Sequence, residues 1–274
     1  MNFTAIVAAV TVSVAFSGSV VAQTSKTGVE KLYLLNCGEG NAPDQSRWSP
    51  GVNVGKPLDV SDNCYLIKHA QGYFLWDTGV IDAIADRKEG QPGENGGISW
   101  KRPQKLSTQI EALGLKPAEI QFMAVSHTHP DHIGNVELFP KTMLFVQKAE
   151  YDWPLPLNLG RFKPEHPVTK LEGDHDVFGD GSVVILSTPG HTPGHQSLLV
   201  KLPKTGALVL SGDAVHFADN WNNRRVPGFN FDVAKSAASL KRIEDVLASE
   251  KATLWINHDK AQSATLKYAP AFYE

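Results

Sequence analysis

The stretch Ser126-His127-Thr128-His129-Pro130-Asp131-His132 follows a short apolar run and brings three imidazoles and a carboxylate together. In an extended backbone alternate side chains point to the same side, so His127 and His129 can reach one point in space. Asp131 and His132 follow where the chain turns, and they can face a second point nearby. Imidazole and carboxylate are groups that bind zinc, and four such donors so close together indicate more than one ion. The alternative is a polar loop that is merely rich in histidine.

Residues further along the chain favour the metal site over the polar loop. Three more ligand-type residues each follow a short run rich in valine, leucine or isoleucine, which is the pattern of a buried strand. They are His191 after 183–187, Asp213 after 207–212 and His258 after 253–257. Strands that end at the same edge bring such residues together. The predicted assignment is His127, His129 and His191 to one ion, Asp131, His132 and His258 to the other, and Asp213 as the bridge.

This set of motifs resembles the metallo-β-lactamase superfamily, from about Leu32 to the C-terminus. The H-x-H-x-D-H motif, the T-P-G-H of 188–191, the strand-end aspartate and the last histidine all have counterparts there. The resemblance implies an α/β fold, the αββα sandwich of two mixed sheets flanked by helices, and two zinc or other divalent ions. The segment 75–79 is similar to the early D-T-G turn of the superfamily, which implies that Asp77 orients a ligand histidine.

Composition and charge fit a globular enzyme. The chain has 274 residues, 42% of them hydrophobic, and a formal net charge of −3. This length allows one large domain or two small ones, and we predict a single hydrolase domain over 23–274. The slightly acidic balance argues against nucleic acid as a partner and provides no basic patch for a membrane.

Residues 1–22 differ from the rest of the chain because they contain no charged side chain and are largely apolar between Ala5 and Phe16. They end in Val20-Val21-Ala22, a small-x-small site of the kind that signal peptidase cleaves. We therefore predict a signal peptide over 1–22, a periplasmic or secreted mature protein, and no stable membrane insertion after cleavage. A retained N-terminal anchor is the alternative, although the apolar run is short for a membrane span.

The chain has two cysteines, Cys37 and Cys64, and neither lies near the metal motifs. An oxidising compartment would allow a disulfide between them. Because a sequence does not show the separation of two Cα atoms, we expect buried free thiols and keep the disulfide as the alternative.

Periodicity and turn residues divide the rest of the chain. Helices are predicted over 105–113 and, with Asp232 as N-cap, over 233–250. The glycine-rich stretch 86–104 is either a solvated loop or a lid or contact of a homodimer. The proline-rich stretch 151–168 is predicted to be a loop over the metals.

Aromatic residues in the loops are candidate walls for a substrate. An apolar part of a small-molecule substrate would lie against such side chains outside the metals. The candidates are Trp48, Trp100, Trp153 and Phe229, together with Phe162 from the proline-rich stretch.

Five histidines remain after the ligands are assigned. In the repeat Thr-Pro-Gly-His-Thr-Pro-Gly-His the first histidine, His191, matches the ligand position, so His195 is expected to pack behind the site. His216 lies three residues after Asp213 and either faces the metals or is a partly buried strand-end residue. The other three are expected at the surface: His69, His166 and His175.

The branches of the superfamily differ in the residues that they carry. The glyoxalase II branch continues into a glutathione-binding helical domain, and only a short segment follows His258 here. The β-lactamases with the same motif lack the bridging aspartate that this chain has at Asp213. Flavodiiron proteins replace the second histidine of the motif with glutamate and continue into a flavin domain. None of these branches fits.

The chain looks most like the N-acyl homoserine lactone lactonases, the quorum-quenching branch. The similar stretches are 127–132, 188–198, 213–214, 229–232 and 256–259. The resemblance implies a metal-dependent hydrolase that opens a lactone by attack of a metal-bridging hydroxide, with Asp131 carrying the proton to the leaving oxygen. Such lactonases often have a tyrosine where this chain has His216, so we expect this imidazole to be the donor to the substrate oxygen.

Two other functions stay open at this point. An organophosphate or aryl-ester hydrolase would use the same two-metal centre under aromatic loops. A zinc-binding protein without activity would need a closed site, whereas seven ligands on two ions leave positions for water.

Overall fold

The computed structural model describes Met1, residues 28–153 and residues 162–274. Residues 2–22 of the predicted signal peptide lie outside this part of the chain, as do residues 154–161 of the proline-rich stretch. Within the described part no helix has the length and apolar character needed to cross a membrane.

The first sheet of the described chain has seven strands, which run in sequence as β1 to β7. In chain order these strands are Val29–Ala42, Leu58–His69, Gly72–Trp76, Ser99–Lys101, Phe122–Ala124, Met143–Gln147 and Val168–Leu171. Their order across the sheet is β4-β1-β2-β3-β5-β6-β7. β1, β2 and β3 pair antiparallel, whereas β3, β5, β6 and β7 are parallel, so the sheet is mixed.

The second sheet has five strands in the described residues and is also mixed. Its strands β8 to β12 are His175–Asp176, Val183–Ser187, Gln196–Leu202, Gly206–Leu210 and Thr253–Trp255. The order is β12-β11-β10-β9-β8, with β11 and β12 parallel and the other pairs antiparallel.

Six α-helices connect or cover these strands in the described residues. In chain order, α1 to α6 are Leu106–Ala112, Pro130–Ile133, Lys148–Tyr151, Ala218–Asn223, Val233–Glu250 and Lys260–Ser263. The two helices predicted from periodicity, α1 and α5, are confirmed. Asp232 caps α5 as expected, because its side chain accepts a hydrogen bond from the backbone N–H of Lys235 at 2.9 Å.

The main core lies between the two sheets. Phe74 and Trp76 of the first sheet pack against Ile185, Leu198 and Trp255 of the second, and all five are buried. Side chains alternate between the two faces of a strand, and in both sheets the residues that point outward are also largely apolar. These outer faces therefore need to be covered.

Helices provide those covers. Helix α1 buries Leu106 and Ile110 on the outer face of the first sheet, and α5 buries Leu240 and Ile243 on that of the second. This arrangement confirms the predicted αββα sandwich.

The two cysteines contradict the expectation of free thiols. Cys37 of β1 and Cys64 of β2 form a disulfide, with their Cα atoms 5.7 Å apart. A register shift between Asn36 and Gly38 leaves Cys37 without a partner in the ladder, while Leu35 lies opposite Cys64. The prediction was wrong because the pairing of β1 with β2 is a tertiary property.

Two of the three histidines expected at the surface are buried instead. His69 is 2% exposed and stacks on Phe178 with ring centroids 3.8 Å apart, and its Nε2 lies 2.9 Å from Asp180 Oδ2. His166 is also buried, and His175 is half-buried. Their neighbours in sequence suggested exposure, but Phe178 and Asp180 cover His69 at the end of β2.

The glycine-rich stretch 86–104 is not a purely solvated loop. Residues 99–101 form β4 at the edge of the first sheet. Ile98 and Trp100 pack onto an apolar cluster with Trp48, Val60 and Phe217. The stretch is therefore anchored at one end beside the site.

Candidate metal centre

The ends of β5, β9, β11 and β12 all lie at one edge of the sandwich, and each carries predicted ligands into the following loop. β5 ends at Ala124, three residues before His127, and the loop after β9 contains His191. The one-turn helix α2 begins at Pro130, and its residues Asp131 and His132 belong to a second ligand group beside that of His127 and His129. The structure brings together all seven residues that the sequence proposed as ligands.

The first group consists of His127, His129, His191 and Asp213, whose ligand atoms lie within 4.8 Å of one another. His129 Nδ1 lies 2.9 Å from His127 Nε2 and 3.0 Å from His191 Nε2. Nitrogens bound tetrahedrally to one zinc ion at about 2.0–2.1 Å would be separated by only slightly more than this. The three imidazoles therefore face a point that a single ion fits.

The second group consists of Asp131, His132 and His258. Asp213 stands between the groups and turns one carboxylate oxygen to each. Its Oδ2 lies 3.4 Å from His191 Nε2, and its Oδ1 lies 3.0 Å from His258 Nε2 and 3.3 Å from His132 Nε2. A carboxylate in this position can bridge two ions.

Partners on the far side of the rings orient the ligands. His132 Nδ1 donates to Asp77 Oδ2 at 3.0 Å, which places Asp77 where the D-T-G resemblance expected it. His258 Nδ1 donates to the carbonyl of Ser61 at 2.7 Å, and His191 Nδ1 lies 3.0 Å from Asn230 Oδ1. With the proton on Nδ1, each Nε2 is free to bind a metal ion.

The pKa values of the histidines are shifted in opposite directions in the two groups. Burial, assisted by neighbouring imidazoles, lowers the pKa of His127 and His191 well below the usual value. Burial acts the same way on His258, but Asp213 and Asp131 outweigh it and raise the pKa of His258 to about 9. The pKa of His132 is likewise raised well above its usual value, because Asp213, Asp77 and Asp131 together outweigh burial.

Several buried polar atoms of the centre have no hydrogen-bond partner among the described residues. They include His132 Nε2, Asp213 Oδ1 and both ring nitrogens of His216. Leaving a buried polar atom unsatisfied costs about 1–3 kcal/mol, and more when the group is charged. Divalent ions bound to the two groups would satisfy the first two of these atoms, so the donor set fits the two ions that the sequence suggested.

His195 packs behind the centre and is fully buried. Its Nε2 accepts a hydrogen bond from the backbone N–H of Asp213 at 2.9 Å, while Nδ1 lies 3.0 Å from the carbonyl of Thr188. The side chain thus orients the bridging aspartate without reaching either ligand group.

His216 faces the centre and is 2% exposed. Its Nε2 lies 3.2 Å from Asp213 Oδ2, yet without hydrogen-bond geometry. The ring also lies beside His191, with centroids 5.0 Å apart. Of the two positions considered for this residue, the structure shows the one that faces the metal ligands.

Three of the predicted aromatic walls approach ligand histidines on different sides of the centre, whereas Trp48 contacts Phe229. Trp100 lies 6.0 Å from His258, and Trp153 lies 6.4 Å from His129, measured between ring centroids. Phe229 approaches His191 at 6.2 Å and meets Trp48 edge-on at 6.0 Å. Phe162 does not take part, because it stacks on Tyr151 and packs on the outer face of the first sheet.

A groove of about 830 Å³ opens beside the centre and includes His129 and Asp131 in its lining. Apolar side chains line much of the rest: Val80, Ile81, Ile84, Ile98, Trp100 and Ile133. Of the four predicted walls only Trp100 belongs to this groove. The aliphatic residues were missed because nothing in the sequence distinguishes them from apolar residues that pack in a core.

Sequence reasoning also missed residues that hold the ligand loops in place. Glu150 and Ser61 contact a ligand loop or a ligand ring but lie far from the motifs in sequence, whereas Asn230, which contacts His191, lies within the similar stretch 229–232. Asn230 could have been noticed, since it lies between two phenylalanines in the insertion after Asp213. Nothing in the sequence distinguishes Glu150 from a surface glutamate.

Comparison with known proteins now adds to this geometry. A family model described as the metallo-beta-lactamase superfamily matches residues 58–250. The chain belongs to this superfamily. The match includes six of the seven ligand residues, and His258 lies just beyond its end.

Relatives that resemble this chain over most of its length include lactonases. The chain is 34% identical over 259 residues to the N-acyl homoserine lactonase AttM of Rhizobium radiobacter, covering 89% of this chain and 94% of the relative. It is 30% identical to an N-acyl homoserine lactonase of Bacillus cereus, covering 89% of this chain and 99% of that protein.

Solved structures of the superfamily agree with the fold. An N-acyl homoserine lactone hydrolase with the product N-hexanoyl-L-homoserine bound at its catalytic metal centre superimposes with a TM-score of 0.78 at 29% identity, covering 89% of this chain and 99% of that one. The hydrolase AbOPH superimposes with a TM-score of 0.58 at 17% identity, covering 90% and 96% of the two chains, a likeness of fold alone.

Proposed function

We propose that the protein is a two-zinc hydrolase that opens lactone rings, with N-acyl homoserine lactones as its substrates. The observation that carries this proposal is a complete set of seven ligands, bridging aspartate included, in a chain 34% identical to a lactonase along nearly all of that relative's length. Zinc is proposed because imidazole and carboxylate are donors that it favours.

Two bound ions would act as a Lewis acid on the substrate carbonyl and lower the pKa of water. The chain's own residues would then manage the proton. Asp131 lines the groove and its side chain is 18% exposed, compared with 5% for Asp213, so it is the ligand carboxylate that substrate can approach. It accepts the proton lost by the attacking water and passes it to the ring oxygen as the C–O bond breaks.

His216 would donate a hydrogen bond to the substrate carbonyl oxygen. Its ring is buried beside the ligands, and both ring nitrogens lack hydrogen-bond partners among the described residues. We expect His216→Phe to lower kcat by about a hundredfold, the usual effect of losing one donor to a developing oxyanion. His216→Tyr, which restores a donor of the kind often found in such lactonases, should keep most of the turnover. Equal loss in both variants would contradict this role.

The groove would bind the acyl tail. Each buried methylene contributes about 0.8 kcal/mol, so kcat/KM should rise from short to medium acyl chains. Ile81 is 49% exposed and lines the groove, so Ile81→Ser tests this binding at little cost in folding. Val54→Ser is the matched control, because Val54 is 72% exposed and lies outside the groove.

The deciding experiment follows acid release by the metal-loaded enzyme on lactones of increasing acyl length. Paraoxon-type esters, aryl esters and a chromogenic cephalosporin serve as competing substrates. Lactone turnover, with a preference for longer chains that Ile81→Ser reduces about fourfold and Val54→Ser leaves unchanged, supports the proposal. Rapid hydrolysis of paraoxon-type esters without lactone turnover would assign the chain to the organophosphate hydrolases.

We also propose that the mature protein acts in the periplasm or outside the cell after cleavage behind Ala22. The Cys37–Cys64 disulfide supports this location, because such bonds persist in oxidising compartments. N-terminal sequencing of protein from the periplasmic fraction should begin at Gln23, and a chain that retains residues 1–22 would contradict the proposal.

A further inference from the structure

The first ligand group is built from loops of two different sheets. His127 and His129 follow β5 of the first sheet, whereas His191 follows β9 of the second. Apolar packing between sheets is not directional, but a metal site requires ligand distances within about 0.2 Å. Directional hydrogen bonds between the two loops can supply this precision.

Glu150 lies between these loops and is fully buried. Its Oε1 accepts hydrogen bonds from the backbone N–H of Thr128 at 2.8 Å and from the Thr128 hydroxyl at 2.7 Å. Its Oε2 accepts from the backbone N–H of Gly194 at 3.0 Å. Thr128 separates His127 from His129, and Gly194 belongs to the loop that carries His191.

The backbone at Gly194 is shaped for this contact. A Cβ at this position would overlap the backbone nitrogen of Glu150, so only glycine allows the loop to approach so closely. Glu150 also lies close to the imidazoles, because it accepts from the backbone N–H of Thr128, which stands between His127 and His129. A buried carboxylate so near the imidazoles favours a cation among them.

We propose that Glu150 is a positioning residue that joins the two loops of the first ligand group and thereby sets the affinity of that group for its metal ion. It acts through Thr128 and Gly194 and does not touch the ion. The inference concerns the metal centre only, so it holds whichever ester the enzyme hydrolyses.

Glu150→Gln is the sharpest variant. It keeps the size of the side chain and can still accept from Thr128, but its amide N–H₂ would face the N–H of Gly194. Residues that orient metal ligands usually contribute 10–100-fold to metal affinity, so the first group should bind its ion about 10–100-fold more weakly. The second group, with Asp131, His132 and His258, should stay within about threefold of the wild type.

Asp176→Asn is the matched control. The Asp176 carboxylate also accepts three hydrogen bonds, from the backbone N–H groups of Phe178, Gly179 and Gly181. It lies at the opposite end of β9 from His191, so its loss removes a similar clamp without touching a ligand loop.

The experiment titrates the metal-free protein with Co²⁺ against a competing chelator and measures the affinity of each equivalent. Paramagnetically shifted imidazole N–H signals identify which group fills at each equivalent, and the melting temperature records stability. Selective weakening of the first group in Glu150→Gln, absent in Asp176→Asn, supports the proposal. Unchanged affinities overturn it, and so does equal weakening of both groups.

A milder variant covers the case in which Glu150→Gln does not fold. Thr128→Val removes only the hydroxyl that donates to Glu150 and keeps the shape of the side chain. It should weaken the first ion severalfold, whereas Thr128→Ser should restore wild-type affinity. If Thr128→Val binds the first ion like the wild type, the proposal fails.

Discussion

The two halves of the metal centre are equally buried but electrostatically opposite. Around the first group, imidazoles outnumber carboxylates, and the pKa values of its histidines are lowered. Around the second group, Asp131, Asp77 and Asp213 surround two imidazoles, whose pKa values are raised. The sign of each shift therefore depends on the number of neighbouring carboxylates rather than on depth.

The halves are also held differently. In the first half the charged side chain of Glu150 joins two ligand loops. In the second half strand β2 holds the loop of His258: the Ser61 carbonyl accepts from His258, and the Asn63 and Asn257 side chains exchange hydrogen bonds with each other's backbone, while the Asp77 carboxylate holds His132. The histidines of the first group are therefore neutral and can bind a cation directly, whereas those of the second group must first lose protons. Four experiments would test this contrast.

The largest effect is expected from Asp213→Ala, because Asp213 contacts both halves. The variant should lose at least one ion, and turnover should fall by more than about a thousandfold, since both ions lose an anionic ligand. Metal content by mass spectrometry and initial rates measure this. Two ions and wild-type rates in the variant would show that the halves do not share a bridge.

The next test removes one imidazole from the first half. His191→Ala should abolish turnover and release the first ion, because one of three neutral nitrogens is lost. His195→Ala should retain both ions better than His191→Ala does. It should cost about 1–3 kcal/mol of stability, since the N–H of Asp213 loses its acceptor. Metal content and thermal unfolding distinguish them, and equal loss of metal in both would show that the repeat is assigned in the wrong register.

Asp131→Asn examines the second half. An amide cannot carry the proton to the leaving oxygen, so kcat should fall about 10²–10⁴-fold, the usual contribution of a general acid or base. The first ion should stay bound, because Asp131 belongs to the other group. Burst kinetics and metal analysis test both statements, and a variant that turns over normally would exclude Asp131 as the proton carrier.

The smallest effect is a difference in pH dependence between the two equivalents of metal. In the metal-free protein His258 has a pKa of about 9, above the 6.5 of an unfolded chain, so an ion must displace its proton. The pKa of His132 is raised as well, so the second equivalent should bind at least about tenfold more tightly per pH unit from pH 7 to 9. The first should change little, because the pKa values of its histidines are lowered.

The same shift affects folding of the metal-free protein. Since the folded pKa of His258 is raised, its contribution to stability is complete below pH 6.5 and is lost as the pH rises through about 9. Calorimetry in buffers of different ionisation enthalpy counts the protons released at each equivalent, and urea unfolding follows the stability. Equal proton release at both equivalents would remove the contrast between the halves.

Resemblance to the superfamily implied the sandwich, and the sequence alone brought together seven ligands that lie up to 131 positions apart. It could do so because each ligand follows a strand, and strands of a layered fold end at common edges. His127 and His129 were paired by local geometry, since alternate residues of an extended chain share a side.

Tertiary structure decided what depends on the packing of separate strands and loops. The Cys37–Cys64 disulfide follows from the register of β1 on β2, and the burial of His69 follows from its stacking on Phe178. The role of Glu150 is recognised only in the folded chain, where two ligand loops donate hydrogen bonds to its carboxylate. Each of these contacts joins residues with no local signal, because the same side chain can lie at the surface or at the centre depending on what folds over it.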